Sequence, residues 1–460
     1  MVLLTDWTQK YGQVFIWYLG TQPVLVVTDP VEVARLCNNP NKHANLPKWS
    51  RTYTILEPRA PHYSMLGTPD ELEWKSYRRT LSLAFSPENM RKAYPRIYEA
   101  ALQGSRALQQ IYKQGPVDMS DLATRLTAEV ISAVGFDQEL AALQVETGPN
   151  GKPCLPDKPF LQDVKTQLDW TSLTLGSPWY KLLYAVMPWL AEARRVRRGL
   201  QGARQAAIQT LLCCSPLTLS QQPQTPLAMN AGLFFIAGYQ TTSNTTTWAL
   251  LELASDQGLQ DRVRQELKAA GLVPTLQQPQ PRDLEYADLT KLPVLESVIK
   301  ETLRLHATGP MGTFRMTDKD MTVGGYRVPK NTPVQLPPYP MHLSSANFVR
   351  PLEFWPERWT QQAPLSPIDK EHPDATPTGN RRNLSTSWNA FSCGPHNCIG
   401  QALGLTEVRT ALAVLLANFQ FDLPVGFSRD QYLKNEQVWR ITLQPKCGMP
   451  LTVTPLVETL

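Results

Sequence analysis

The chain has 460 residues, 42% of them hydrophobic, enough to bury a large core as one big domain or as two to three ordinary ones. Its 45 Lys and Arg against 40 Asp and Glu give a charge of +5 without clustered basic runs, which argues against a nucleic-acid partner. Seven cysteines, an odd number without repeated spacing, argue against a secreted disulfide framework, and no stretch reaches the roughly 18 apolar residues of a membrane span. The opening residues show no charged, apolar and cleavage-site succession, so a targeting or anchoring leader is expected to be absent from this chain.

Val14 to Leu19 and Val24 to Val27 are β-rich runs joined by "GTQP", which predicts a hairpin, and Pro30 opens a short helix through "VEVARLC". "SPENMRKAYPRIYEAALQGSRALQQI" and "VDMSDLATRLTAEVISAVGF" carry apolar residues at three- and four-residue spacing after Ser or Asp caps and predict two long helices. The run 177–201 combines Trp179, Tyr180, Tyr184, Met187 and Trp189 with basic residues, a composition suited equally to a membrane interface and to an aromatic-rich buried loop. "SPLTLSQQPQTP" is a polar linker, and "LFFIAGYQTTSNTTTWALLELA" predicts a long buried helix. Its Thr and Ser residues are poor formers of helix interiors, so some other requirement holds them there. "DMTVGGYRVPKNTPVQL" predicts a second hairpin turning at Gly324 and Gly325. An irregular stretch follows, and Gln401 to Phe421 predicts a further helix.

Three stretches carry candidate chemistry. "FSCGPHNCIG", Phe391 to Gly400, offers Cys393, His396 and Cys398, at most three ligands for a zinc ion, with no second Cys or His pair at finger spacing. A Cys393–Cys398 disulfide would close a very small loop. Cys398 stands just before a helix N-terminus, where free N–H groups and the macrodipole stabilise a thiolate. "KETLR" puts Glu301 and Arg304 on one helical face, and "EWKSYRR" does the same for Trp74 and Arg78; alone, the first reads as an ordinary ion pair and the second as a common amphipathic pattern. A dinucleotide fingerprint and a phosphate loop are both lacking, so the chain shows no flavin or nicotinamide site of its own.

The loop F-x-x-G-x-H-x-C-x-G, preceded in order by E-x-x-R and by "FWPERW", resembles the haem-binding region of the cytochrome P450 family, and the likeness runs over essentially the whole chain. It implies a single domain, 1–460, mainly α with a small β-rich lobe near 13–28 and 308–340. It also implies a b-type haem whose iron takes Cys398 as axial ligand, with Phe391 shielding the sulfur and Gly394 and Gly400 fitting the loop beneath the macrocycle. Electron donation by that sulfur favours O–O cleavage. Glu301, Arg304 and Arg358 would form a buried structural network. Trp74, Arg78 and Arg315 match donors to the haem propionates, and His396 stands where Arg is more usual. Ala237, Gly238 and Thr241 match the oxygen-binding helix. Gln240 replaces the acid expected there, with an amide able to order water but not to ionise.

The resemblance further implies a monooxygenase that inserts one atom of dioxygen into a lipophilic substrate. Its pocket would be lined by Phe234, Phe235, Ala237, Thr308, Met311 and Met449. Electrons would come from a flavoprotein reductase or a ferredoxin docking on Arg79, Arg91, Lys92, Arg381 and Arg382. The implied setting is the cytoplasmic face of the endoplasmic reticulum membrane, with a plastid, mitochondrial or soluble form as the alternatives. Two rival expectations are a haem-thiolate isomerase or dehydratase acting on a peroxide without reductase, and a non-catalytic haem-binding protein.

Overall fold

The computed structural model describes residues 2–19, 21–37, 46–49, 64–68, 70–159, 161–162, 164–165, 226–274, 281–360 and 387–456. In chain order the elements are α1 (Val2–Tyr11), β1 (Val14–Leu19), β2 (Gln22–Val27), α2 (Pro30–Cys37), α3 (Glu71–Leu81), α4 (Pro87–Ile111), β3 (Val117–Asp118), α5 (Met119–Phe136), β4 (Glu146–Thr147) and β5 (Pro153–Cys154). There follow α6 (Pro226–Ser255), α7 (Gln257–Ala269), α8 (Pro293–Leu305), β6 (Thr313–Met316), β7 (Met321–Val323), β8 (Tyr326–Val328), β9 (Pro333–Leu336) and α9 (Pro338–His342). The chain closes with α10 (Gln401–Asn418), β10 (Phe419–Asp422), α11 (Arg429–Glu436), β11 (Gln437–Arg440), β12 (Thr442–Pro445) and β13 (Pro450–Pro455). The fold is mainly α with small sheets; strands lie at 14–27 and 313–336, as expected, and further short strands at 117–154 and 419–455. The 177–201 run and the irregular stretch before Ser387 lie outside the described residues.

The chain divides into two compact units. The first comprises Met1–Tyr53, Pro69–Glu71 and Ser297–Gln401. Its sheet runs β1-β2-β9-β6, with Val14 opposite Val27 in the predicted hairpin and Arg315 opposite Val334 in the antiparallel β6–β9 pair. One face packs Leu25, Val27 and Val334 against Val33 and Leu36 of α2. Gly324 and Gly325 turn the β7–β8 hairpin with φ of +56° and +84°, the left-handed pair that a two-residue connection requires.

The second unit comprises Thr54–Thr68, Leu72–Glu296 and Ala402–Leu460 and holds most of the helices. The predicted caps are in place: Ser86 accepts a hydrogen bond from the Asn89 amide at the start of α4, and Asp118 accepts from Ser120 and Asp121 at the start of α5. Helix α6 is buried from Thr242 to Ala254, and the hydroxyls of Thr245, Thr246 and Thr247 are satisfied along the helix itself. Thr245 donates to the Thr241 carbonyl, Thr246 to Thr242 and Thr247 to Ser243, each one turn back. This removes the polar cost of burying a Thr-rich helix and supplies the requirement that propensity alone left open.

The helix predicted through Phe421 ends at Asn418. Phe419–Asp422 instead forms β10, paired antiparallel to β13 with Phe421 opposite Val453, and the Phe421 ring is fully buried. Sheet pairing overrides the helical spacing there, as two alternate aromatic residues fill one buried face.

Candidate functional site

Glu301 on α8 is the centre of a fully buried polar network. Its carboxylate accepts from Arg304 Nε at 3.0 Å and Nη2 at 2.8 Å, from Arg358 Nε at 3.0 Å, from the Trp355 amide at 2.9 Å and from the Trp359 indole at 2.9 Å. The helix spacing of Glu301 and Arg304 gives the bidentate pair, and the short turn opened by Pro356 delivers Arg358 and Trp359. The guanidiniums spend their other donors on backbone carbonyls: Arg304 on His342, Pro351 and Glu353, and Arg358 on Val349 and Arg350. Burial holds Arg358 below the usual guanidinium range, and the charge of Glu301 works against that shift.

The same network borders His342, whose Nε2 accepts the Asn389 amide at 2.9 Å. Burial, and secondly the Arg304 charge, push this imidazole down to about 3. The unfolded chain takes up the proton near pH 6.5, so between that value and about 3 the unfolded state binds more protons and stability falls as pH falls. The unfolding midpoint is expected to drop between pH 7 and pH 5. His342→Gln, which keeps an acceptor but cannot titrate, should flatten that slope; an unchanged slope would exclude His342 as its source.

From Asn389 the chain enters the cysteine loop. The Cys398 amide donates to the Phe391 carbonyl at 2.9 Å and the Asn397 amide to Gly394 at 3.1 Å, closing a compact turn that ends just before α10 begins at Gln401. Cys398 is exposed at this helix start, and Phe391 lies edge-on to Trp388 with ring centroids 5.9 Å apart. Trp388 in turn donates to the Lys300 carbonyl and packs on Trp359, so the loop is anchored to the Glu301 network.

Gly394 has φ +72°, and a Cβ there would stand 1.9 Å from the Cys37 carbonyl oxygen. Its smallness is thus required by the end of α2. Gly394→Ala is expected to cost about 2 kcal/mol or more, since backbone must move as well as strain. Gly325→Ala, at φ +84° with nothing within 4 Å, should cost only the conformational strain of about 1–2 kcal/mol. Urea unfolding of the two variants separates these contributions.

Arg315 lies on β6 in the same unit as Cys398 and is 2% exposed. Among the described residues no carboxylate pairs with its guanidinium, which reaches the Cys37 thiol instead. His396 is half-buried with Nε2 3.5 Å from the Glu71 carboxylate. Burial nevertheless holds its imidazole below the ordinary value, with the Glu71 hydrogen bond opposing and the Arg315 and Lys48 charges adding to the shift. Trp74 is buried and Arg78 half-buried on α3, one turn apart. Among the described residues no three His, Cys, Asp or Glu side chains gather as a metal ion would need.

On α6, Ala237 is exposed and Thr241 half-buried, one turn apart on the open side of an otherwise buried helix. The Thr241 hydroxyl donates to the Ala237 carbonyl at 2.9 Å. Gly238 serves helix packing: a Cβ there would meet Ile131 of α5 at 3.0 Å. Gln240 is buried and donates to Gln444 Oε1 of β12 at 2.6 Å, so its amide is committed to the protein. Sequence reading missed Gln444, as it missed Glu71 and Cys37, because each meets its partner only through tertiary folding.

The expected pocket residues divide. Phe234 is half-buried against Phe85, whereas Phe235 is buried against Phe136 and Tyr239. Thr308 is buried, and Met311 is half-buried beside Phe314 and Val26. Met449 is 0% exposed, and its amide and carbonyl are held by Asp118 and Met119 at the start of α5, a packing position. Of the expected docking cations, Arg79, Arg91 and Lys92 are exposed and Lys92 pairs with Glu88 at 2.7 Å, while Arg381 and Arg382 lie outside the described residues.

A family model described as Cytochrome P450 matches residues 2–215 and 218–449. Cytochrome P450 3A25 of Mus musculus is 24% identical over 94% of this chain and 84% of its own. Cytochrome P450 3A29 of Sus scrofa is 26% identical over 90% of this chain and 80% of its own, and Cytochrome P450 6a9 of Drosophila melanogaster is 26% identical over 79% and 73%.

Proposed function

The chain belongs to the cytochrome P450 family, hence to the haem-dependent monooxygenases that use dioxygen and a redox partner, and we propose how its own residues serve that chemistry. Cys398, exposed at the start of α10, would hold the iron of a b-type haem through its sulfur. The haem, when bound, supplies the iron at which dioxygen is reduced so that one oxygen atom reaches the substrate.

The observation that carries this reading is Arg315, a buried guanidinium with no carboxylate partner among the described residues. A buried cation asks for an anion, and a haem propionate is an anion that must exchange its water for fixed donors. Arg315 would therefore hold a propionate, while Trp74 and Arg78 match the family's other propionate donors by sequence. His396, whose imidazole burial holds below its ordinary range, would add a further hydrogen bond. The electrostatic share of propionate binding rests on the arginines.

Thr241 accepts and relays protons at the oxygen-binding position. Gln240, tied to Gln444, cannot ionise and does not shuttle protons by its own titration. Thr241→Ala should keep the haem while raising dioxygen consumed per product several-fold; measured coupling equal to the wild type would remove Thr241 from the relay.

The substrate is lipophilic, supported by the apolar faces of Phe234 and Met311, and the electron donor is a separate flavoprotein reductase or ferredoxin meeting exposed cations such as Arg79 and Arg91. We further propose attachment at the cytoplasmic face of the endoplasmic reticulum, supported by the aromatic and basic run 177–201. Among the described residues no helix is long and apolar enough to cross a membrane. Turnover of a lipophilic compound under labelled dioxygen tests the function: one labelled oxygen in the product, dependent on the reductase, is expected. Reductase-independent rearrangement of a peroxide without dioxygen uptake would overturn it.

A further inference from the structure

Cys37 and Cys393 take no part in the chemistry assigned above, yet they meet in the first unit. Cys37 closes α2 and is 4% exposed; Cys393, half-buried in the cysteine loop, packs on the cluster formed by Cys37, Leu36 and Val33. The two thiols interact with each other, and the Arg315 guanidinium also reaches Cys37. Cys393 Sγ stands 4.0 Å from the Val33 carbonyl, one turn before Cys37 on α2. The loop backbone is close as well: a Cβ placed on Gly394, the residue after Cys393, would lie 3.3 Å from Cys37 Cβ. The loop thus lies directly against the residue to which Cys393 would be joined, the close approach that a disulfide needs.

We propose that Cys37 and Cys393 form a redox-active dithiol that a hydroperoxide converts into a disulfide, stapling the end of α2 to the loop that carries Cys398. The electrostatics suit this chemistry. The pair loses its first proton readily, since the remaining S–H and then Arg315 favour a thiolate at Cys37, whereas a second ionisation is pushed well up. The Cys37 thiolate attacks the peroxide while the shared proton rests on Cys393; an S–O bond forms, the O–O bond breaks, and the departing hydroxide takes the Cys393 proton to become water. The Cys393 thiolate then attacks the oxidised sulfur of Cys37. An S–S bond forms, the S–O bond breaks, and the second oxygen leaves as water after gaining a proton from solvent. Two electrons pass from the sulfurs to the peroxide, and an external dithiol reverses the step.

The test uses the haem-loaded protein treated with hydrogen peroxide, alkylated, digested with trypsin and mapped without reduction. Cys37 falls in fragment 36–42, while Cys393 and Cys398 share fragment 383–409. The expected product joins fragment 36–42 to fragment 383–409, is reversed by dithiothreitol, and is absent from Cys393→Ser and from Cys37→Ala. Cys393→Ser replaces a half-buried sulfur by oxygen and keeps the test open if Cys37→Ala fails to fold. The proposal is overturned if both thiols remain alkylated after oxidation, if fragment 383–409 is bridged only internally, or if the joined product persists in Cys393→Ser.

Discussion

Glu301→Gln is expected to destabilise the protein by about 3–5 kcal/mol, enough to prevent accumulation of folded material at ordinary growth temperature. The carboxylate accepts five hydrogen bonds from four residues, all in a region closed to water. An amide of the same shape keeps one acceptor oxygen and turns its NH2 toward guanidinium donors. It also leaves Arg304, which is 0% exposed, and Arg358 as two buried positive charges without a counter-ion. The loss is therefore the desolvation cost of stranded charge, not the modest net value of an ion pair. Arg358→Met should cost less, because Arg304 still pairs with Glu301 through two hydrogen bonds. Urea unfolding, or the soluble yield when folding fails, reads the order. If Glu301→Gln fell within about 1 kcal/mol of wild type, the network would not hold the loop that Trp359 and Trp388 anchor.

Much of this arrangement follows from local pattern. The β1–β2 hairpin, the Pro30 helix and the Ser86 and Asp118 caps rest on contacts within a few residues, and periodicity reports such contacts directly. The E-x-x-R spacing likewise fixes the Glu301–Arg304 pair. What spacing cannot report is where the remaining donors go. Arg304 ends on the carbonyls of His342, Pro351 and Glu353, and every residue type has a carbonyl. Gln240 and Gln444 lie 204 positions apart, and nothing local marks either as the other's partner.

Small residues were legible as small, but not for their reasons. Gly238 fits Ile131 of a neighbouring helix, and Gly394 makes room for the Cys37 carbonyl. At Asn418 the helical repeat runs on in the sequence while the chain turns into β10, since burial of Phe419 and Phe421 against β13 outweighs propensity over four residues. Cys393 shows the same limit. A loop with two cysteines and a histidine suggests one shared centre, whereas Cys393 faces Cys37 and His396 faces Glu71. Cys398 stands exposed at the start of α10.

That separation leaves Cys398 as the sulfur available to bind the haem iron. At the start of α10 a thiolate is favoured by unpaired backbone N–H groups and by the helix macrodipole, and the loop hydrogen bonds of Phe391 and Gly394 fix its position before any ligand arrives. A hydroxyl in its place is a far weaker ligand and stays protonated at neutral pH. Cys398→Ser should therefore lose thiolate ligation entirely, while the fold, held by the Glu301 network, persists. Cys393→Ser changes a sulfur that packs on α2 and should leave ligation intact. The direct measurement is the absorption spectrum of the reduced, carbon-monoxide-bound protein. Wild type and Cys393→Ser should show the red-shifted Soret band of a thiolate complex and Cys398→Ser should not; retention of that band in Cys398→Ser, or its loss in a folded Cys393→Ser, would contradict the assignment.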